Sequence, residues 1–312
     1  MKVAIVIPAR AGIQRNGPAE QDLKETQGRL PGQVLQREFM MRMEKGTIKK
    51  GISVTAVHNL SKSEIKTFAI KKRTSGEFYD VNLPRLEDNF RGSIDRFCEI
   101  ALAFRESPRV LDVGSGDGLL LALLKMLGHE VHAVDVCDHS ADDVYRQHKI
   151  PFSICNIEAD PLPFETESLD AVSCCQALEH FTHSHLPPVL EMKRVLVVGG
   201  LLELDVPNVV GFRNRSRMLR GKHITWDYKK HYLYAEPVTY KGREYYPDRH
   251  NREFTKEELE VLLSEAGFRE IDVRFLKSRR YRTGFEQLKS VGTALKDSIP
   301  SLRKSLIAFA KK

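Results

Sequence analysis

Apolar positions follow two regimes along the chain. Before about Phe78 no helical or strand period persists, and after it short apolar runs alternate with stretches of helical spacing. The run at 109–113 predicts a buried parallel strand. Leu119 to Leu127 is apolar on nearly every face, which predicts a buried helix. Ahead of them Phe90, Ile94, Phe97, Cys98, Ala101 and Phe104 recur at helical spacing, so a helix should cover the sheet just before its first strand, with its Arg and Asp residues, Arg96 among them, facing outward. Further strands are expected at 132–136, 151–155, 170–175, 201–206, 268–275 and 305–310. Helices are expected over 141–148 and 185–196, and a last one is striped by Leu259, Leu262, Leu263 and Ala266 and ends at Gly267. This alternation predicts an α/β fold with a Rossmann-like, seven-stranded, mostly parallel sheet and helices on both faces.

The first third is punctuated by Pro8, Gly12, Gly17, Pro18, Gly28, Pro31 and Gly32. Short strands at 3–7 and 52–57 are the readable elements there, and Ser61-Lys62-Ser63-Glu64 has the capping-box spacing ahead of a basic helix reaching about Arg73. Residues 1–75 are therefore expected to be an accessory or partly disordered N-terminal segment, and 76–312 the main domain. The opening apolar segment stops at Pro8, short of a secretory signal, and no stretch is long enough to span a bilayer.

Five cysteines, none in a C-x-x-C pair, suit reduced core thiols and a cytoplasmic setting. The net charge of +7 is unevenly placed: between Asp112 and Asp205 acids outnumber bases, so the basic excess lies in the flanks. Basic flanks suit an anionic substrate or surface, and equally a solvated face.

The glycines of Val113-Gly114-Ser115-Gly116-Asp117-Gly118 lie between the first strand and its helix, where missing Cβ atoms let a ligand lie against the backbone. A dinucleotide fingerprint needs glycine at the sixth position, and here that residue is Leu119. Gly114-x-Gly116-x-Gly118 preceded by Asp112 instead resembles motif I of class I S-adenosylmethionine-dependent methyltransferases. Asp170-Ala171-Val172 and Glu179-His180 are similar to the Asp-x-Val and Glu-His motifs of the ubiquinone-biosynthesis-like branch. Arg194 to Gly200 resembles that family's Arg-Val-Leu-Lys-Pro-Gly-Gly turn, with Val-Val in place of Lys-Pro. Pro207-Asn208 and His250 to Thr255 resemble the branch found in glycan and polysaccharide biosynthesis. The likeness spans about residues 78 to 312.

The resemblance implies S-adenosyl-L-methionine as cofactor, held by Asp112, Gly114, Ser115, Gly116, Asp117 and Gly118. It puts Asp135 and Val136 at the ribose, Asn156 and Ile157 at the adenine, and Cys175 and Gln176 at the end of the fourth strand. Asn156 departs from the usual acidic residue. Methyl transfer asks for alignment and exclusion of water, and a hydroxyl acceptor benefits from a general base. His180 and His250 are the candidates, although His180 could instead cap a helix or shape the pocket. His180, His183 and His185 are close in sequence but have no carboxylate or cysteine at metal-site spacing, so no metal is expected.

Residues 209–249 separate the fifth strand from the last helix and interleave Phe212, Trp226 and six tyrosines with arginines and lysines. Aromatic faces stack on rings and guanidinium groups pair with phosphate, so a substrate lid is expected. The alternative is an insertion that covers the core or joins subunits. Around 285–295 a basic amphipathic helix suits peripheral membrane contact, or packing on its own body.

These features together predict O-methylation of a saccharide or related anionic metabolite, a small-molecule or glycan substrate. N- or C-methylation of an aromatic or quinone-like metabolite and a non-catalytic cofactor-binding scaffold are the alternatives. Nucleic-acid methylation is disfavoured because the end of the fourth strand lacks an Asn/Asp-Pro-Pro-aromatic motif.

Overall fold

A computed structural model describes residues 60–225, 227–277, 280–281 and 297–312. The expected strands at 3–7 and 52–57, Trp226 and the helix around 285–295 lie outside the described residues.

The elements in chain order are α1 (Lys62–Thr74), α2 (Pro84–Ala103), β1 (Arg109–Val113), α3 (Leu119–Met126), β2 (Glu130–Asp135), α4 (Asp143–His148), β3 (Phe152–Ile154), β4 (Leu169–Cys175), α5 (Leu186–Val195), β5 (Leu196–Pro207), α6 (Phe212–Met218), β6 (Val238–Tyr240), β7 (Arg243–Tyr245), α7 (Lys256–Glu265), β8 (Arg269–Leu276) and β9 (Ser305–Lys311). Seven strands form one sheet in the order β3-β2-β1-β4-β5-β9-β8. β1 to β5 run parallel and β9 is antiparallel to both of its neighbours. This is the mostly parallel Rossmann-like sheet that the alternation predicts.

Strand side chains alternate between faces, and the core divides accordingly. Val110, Ala133 and Ala171 join α2 and α3 in one hydrophobic cluster. Leu111, Val134 and Val172 join α5 and α7 in the other. Leu119 to Leu124 are all buried, which explains a helix without a polar face.

Ser61 and Glu64 make both bonds of the capping box, Ser61 N donating to Glu64 at 2.8 Å. Helix α1 is docked on α2: Ile65 and Ala69 sit in the same cluster as Phe90 and Ile94. Lys66 pairs with Asp95 at 2.6 Å, and Arg73 Nε donates to Glu87 at 2.9 Å. Residues 61–74 are thus packed on the main body although they precede the expected boundary near 75.

Strand β5 begins earlier than the pattern suggests. Leu196 pairs with Leu169 and Leu201 with Ala171, so the Val197–Gly200 stretch bulges out of the ladder. The insertion also holds a hairpin, β6 against β7, whose runs of three residues are too short to show a period. Among the described residues no helix is long and apolar enough to cross a membrane.

Candidate active site

The carboxyl ends of β1, β2, β3 and β4 open onto a cleft of about 290 Å³. Its floor is the glycine turn. Gly114 N donates to the Val134 carbonyl at 2.8 Å, which seats the turn against β2. At φ +74° a Cβ on Gly114 would lie 2.4 Å from the Cβ of Ala177, so glycine is required for both conformation and closeness. Gly116, at φ +50°, has nothing within 4 Å of its missing Cβ. That position opens toward the cleft and leaves room for a ligand against the backbone.

Asp135 closes the second side. Its Oδ2 accepts from Gly116 N at 3.1 Å and its Oδ1 from Cys137 N at 3.0 Å, so the carboxylate is fixed by backbone donors at the cleft wall. Of the residues expected to hold cofactor, Gly114, Gly116, Asp135, Val136, Asn156, Ile157 and Gln176 line the cleft. Asp112, Ser115, Asp117, Gly118 and Cys175 stand behind that lining. Asp112 is buried in β1, where burial pushes its carboxyl well above the usual range against a hydrogen bond from Ser173. Ser115 Oγ accepts from Tyr145 at 2.8 Å, and Asp117 accepts from Asn89 of α2 at 2.7 Å. Both brace the turn from outside. The Asn156 amide oxygen accepts from Glu158 N at 3.0 Å and shapes the loop that follows β3.

His180 also lines the cleft, at the end of the single 3-10 turn that follows β4. Its Nδ1 lies 2.8 Å from the Arg249 carbonyl. A carbonyl only accepts, so in the neutral ring Nδ1 carries the proton and Nε2 keeps a free lone pair. Burial and the neighbouring His250 lower the His180 pKa to about 4. His250 packs edge-on against His180 at 4.9 Å and sits behind the cleft lining. Glu179 is buried with both carboxylate oxygens lacking a hydrogen-bond partner, and burial pushes its carboxyl up to about 8.

The ligand-type atoms of Glu179, His180 and His250 all lie within 4.8 Å of one another, as do those of Asp135, Cys137 and His139. These are the groupings that could hold a cation among the described residues. The sequence trio His180, His183 and His185 does not assemble: His183 pairs with Glu158 at 3.2 Å and His185 stacks on Phe181.

Residues 111–204, from β1 into β5, match the family described as the Methyltransferase domain. The match covers the strands whose ends form the cleft, so this part of the chain is similar to a methyltransferase domain.

Ubiquinone biosynthesis O-methyltransferase of Xanthomonas oryzae pv. oryzae is 33% identical over 138 residues, covering 39% of this chain and 56% of that protein. Its counterpart in Xanthomonas campestris pv. campestris is 32% identical over the same span and coverage. The chain thus spans little more than half the length of the curated relatives it matches. Among solved structures, a SAM dependent methyltransferase from Archaeoglobus fulgidus is similar with a TM-score of 0.45 at 17% identity, over 70% of this chain and 91% of that one. The 1,6-didemethyltoxoflavin-N1-methyltransferase of Burkholderia thailandensis is similar with a TM-score of 0.43 at 17% identity, over 86% and 92%.

The insertion after β5 does two things. The hairpin reaches the loop after β3, where Tyr240 donates to Asp160 at 2.5 Å and Lys241 pairs with the same carboxylate at 2.6 Å. Beyond it Tyr245, Tyr246 and Asp248 join the cleft lining. The arginines differ from expectation. Arg215 donates to the Val210 carbonyl at 2.5 Å, Arg217 to His223 at 2.7 Å and Arg220 to Ser216 at 2.9 Å, so these guanidinium groups brace the insertion's own backbone. Helix ends and turns leave carbonyls without partners, and arginine satisfies them. Arg85, which carries the cation of the lining, had no sequence signal because it begins a helix far upstream of every motif.

Proposed function

We propose that the chain is an S-adenosylmethionine-dependent O-methyltransferase acting on a small hydroxylated ring. The observation that carries this reading is the fixed Asp135 carboxylate beside the open backbone at Gly116, at the carboxyl ends of parallel strands. Such a pairing fits a nucleoside with a diol and a tail without phosphate, and the matched family favours this donor. When bound, the cofactor supplies a methyl group on a sulfonium, ready for in-line displacement.

The protein's own part is positioning. Asp135 would receive the ribose hydroxyls, Asn156 and Ile157 the adenine, and Gly114 and Gly116 the amino-acid tail, with Gln176, its amide held by Asp205, turning the corner beside them. With Nδ1 committed to the Arg249 carbonyl, the His180 Nε2 lone pair can take the acceptor's proton. Phe181, Tyr245 and Tyr246 exclude water and offer ring faces.

The charge of the lining narrows the acceptor. Among the described residues that line the cleft, the carboxylates Asp135, Glu158 and Asp248 outnumber the one guanidinium, Arg85. A neutral acceptor fits this field better than the anionic one that the basic flanks suggest. We therefore favour a neutral saccharide. The aromatic lining and the relatives named as ubiquinone biosynthesis O-methyltransferases support a second reading, a phenolic ring.

A panel of neutral saccharides, anionic saccharides and phenols, assayed with tritiated S-adenosylmethionine, tests the proposal. Label transfer to a neutral ring hydroxyl is expected. Transfer to anionic saccharides alone contradicts the acceptor class, and cofactor binding without any product supports the scaffold alternative.

A further inference from the structure

Behind the cleft a buried ion pair reaches the residue that turns its corner. Arg96 of α2 is 7% exposed and Asp205 of β5 is fully buried. The guanidinium Nε lies 3.1 Å from Asp205 Oδ1, and the same oxygen accepts a hydrogen bond from the Gln176 side-chain amide. Gln176 N also donates to the Asp205 carbonyl at 2.8 Å, so Gln176 is gripped twice by one residue.

Gln176 has a φ of +56°, a left-handed conformation that a residue with a Cβ adopts only when its surroundings enforce it. The next residue, Ala177, supplies the Cβ against which Gly114 packs so closely. Gln176 and Ala177 both line the cleft. Geometry thus links α2, through Asp205 and Gln176, to the gap between the end of β4 and the glycine turn. A buried ion pair is often replaceable by apolar residues without loss of stability, which makes a role other than stability worth seeking.

We propose that Arg96 and Asp205 are positioning residues of the cofactor cleft: Arg96 keeps Asp205 in place as a charged acceptor, and Asp205 clamps Gln176 in the left-handed corner that sets the approach of Ala177 to Gly114. Burial raises the Asp205 pKa to about 6, and Arg96 works against that rise. The inference rests on the methyltransferase reading above. It gives a distal helix a part in ligand affinity without any contact with the ligand.

The test uses the full chain and S-adenosylhomocysteine as probe, with titration calorimetry for affinity and thermal melting for the fold. The paired substitution Arg96→Met with Asp205→Leu removes both charges at similar volume. It should melt near the wild type yet bind the probe about tenfold more weakly, one lost hydrogen-bonded restraint. Gln176→Leu, which keeps the ion pair but loses the clamp, should show a similar loss. Gln176→Gly should bind within about threefold of the wild type, because glycine adopts the corner unaided. Adding Gln176→Gly to the paired substitution should restore affinity.

Equal losses for Gln176→Gly and Gln176→Leu, or wild-type affinity in the paired variant, would overturn the proposal. If the paired variant does not fold, the contrast between the two Gln176 variants decides alone. A wild-type chain that does not bind the probe overturns the methyltransferase reading itself.

Discussion

The backbone N–H of Gly116 donates to the Asp135 carboxylate at 3.1 Å, joining the turn after β1 to the end of β2 across the floor of the cleft. Two positions 19 residues apart are thereby held as one surface, a backbone without a Cβ beside a fixed carboxylate. The arrangement depends on the parallel β1–β2 register, in which Val113 stands opposite Val134.

The close approach of Gly114 to Ala177 leads to the first prediction. Gly114→Ala puts a Cβ 2.4 Å from that of Ala177, in a left-handed conformation. The overpacking should cost about 1–3 kcal/mol of stability, and S-adenosylhomocysteine binding should fall below detection in a folded sample. Wild-type affinity in this variant would show that the turn does not form the ligand's floor.

His180 gives a pH signature. The neutral ring is the form able to take a proton, and its pKa is lowered from 6.5 to about 4. As a base it should leave the rate flat between pH 8 and 6 on its own account, with the acid limb appearing only as pH falls toward 4. His180→Ala should lower kcat by roughly 10² to 10⁴ while probe affinity stays within about twofold. A strong drop in affinity with kcat preserved would assign His180 to pocket shape instead.

Glu87 joins α1 to α2. Burial raises its carboxyl pKa, but hydrogen bonds from Arg73, Tyr79 and Arg91 outweigh that and hold it at about 2. A lowered pKa stabilises the fold above the unfolded value of 4.5, and the contribution is lost as pH falls toward 2. Glu87→Gln should therefore cost about 1–3 kcal/mol at pH 7, with the difference shrinking on acidification. Denaturant melts at pH 7 and pH 3 measure it, and a constant difference would contradict the ionic account.

The hairpin is tied down by Tyr240 and Lys241 on Asp160. Asp160→Asn should loosen it, seen as faster amide exchange over residues 238–248 and a KM for the cofactor raised about threefold, with kcat little changed. Unchanged exchange would mean that the rest of the insertion holds the hairpin unaided.

The sheet was legible because strands buried on both faces write themselves as apolar runs, as β1, β4 and β9 do, while the edge strand β8 shows only an alternation. The place of the glycine turn and Asp135 at the cleft was legible because its signals are local: a strand end, a missing Cβ, a carboxylate. His180 was placed at the cleft by the same reasoning. Partnerships made in space were not legible. His250 lies 70 residues beyond His180 and meets it only because the insertion returns over β4, a relation that no spacing encodes. The arginines of residues 213–220 read as phosphate ligands because sequence shows their charge and not the carbonyls they face. Arg96 looked like the outward side of a helix, yet it turns inward to Asp205, since a helical period marks apolar residues and does not announce a buried ion pair.

The central claim is that this cleft holds the nucleoside of S-adenosylmethionine with Asp135 on its ribose. Titration calorimetry of S-adenosylhomocysteine into the wild type and Asp135→Ala tests it most directly. Saturable one-site binding to the wild type is expected, weakened in the variant by about 1–3 kcal/mol, the cost of leaving buried polar partners unpaired. Equal affinity in the two proteins would contradict the placement of the ribose, and no binding to the wild type would contradict the account as a whole.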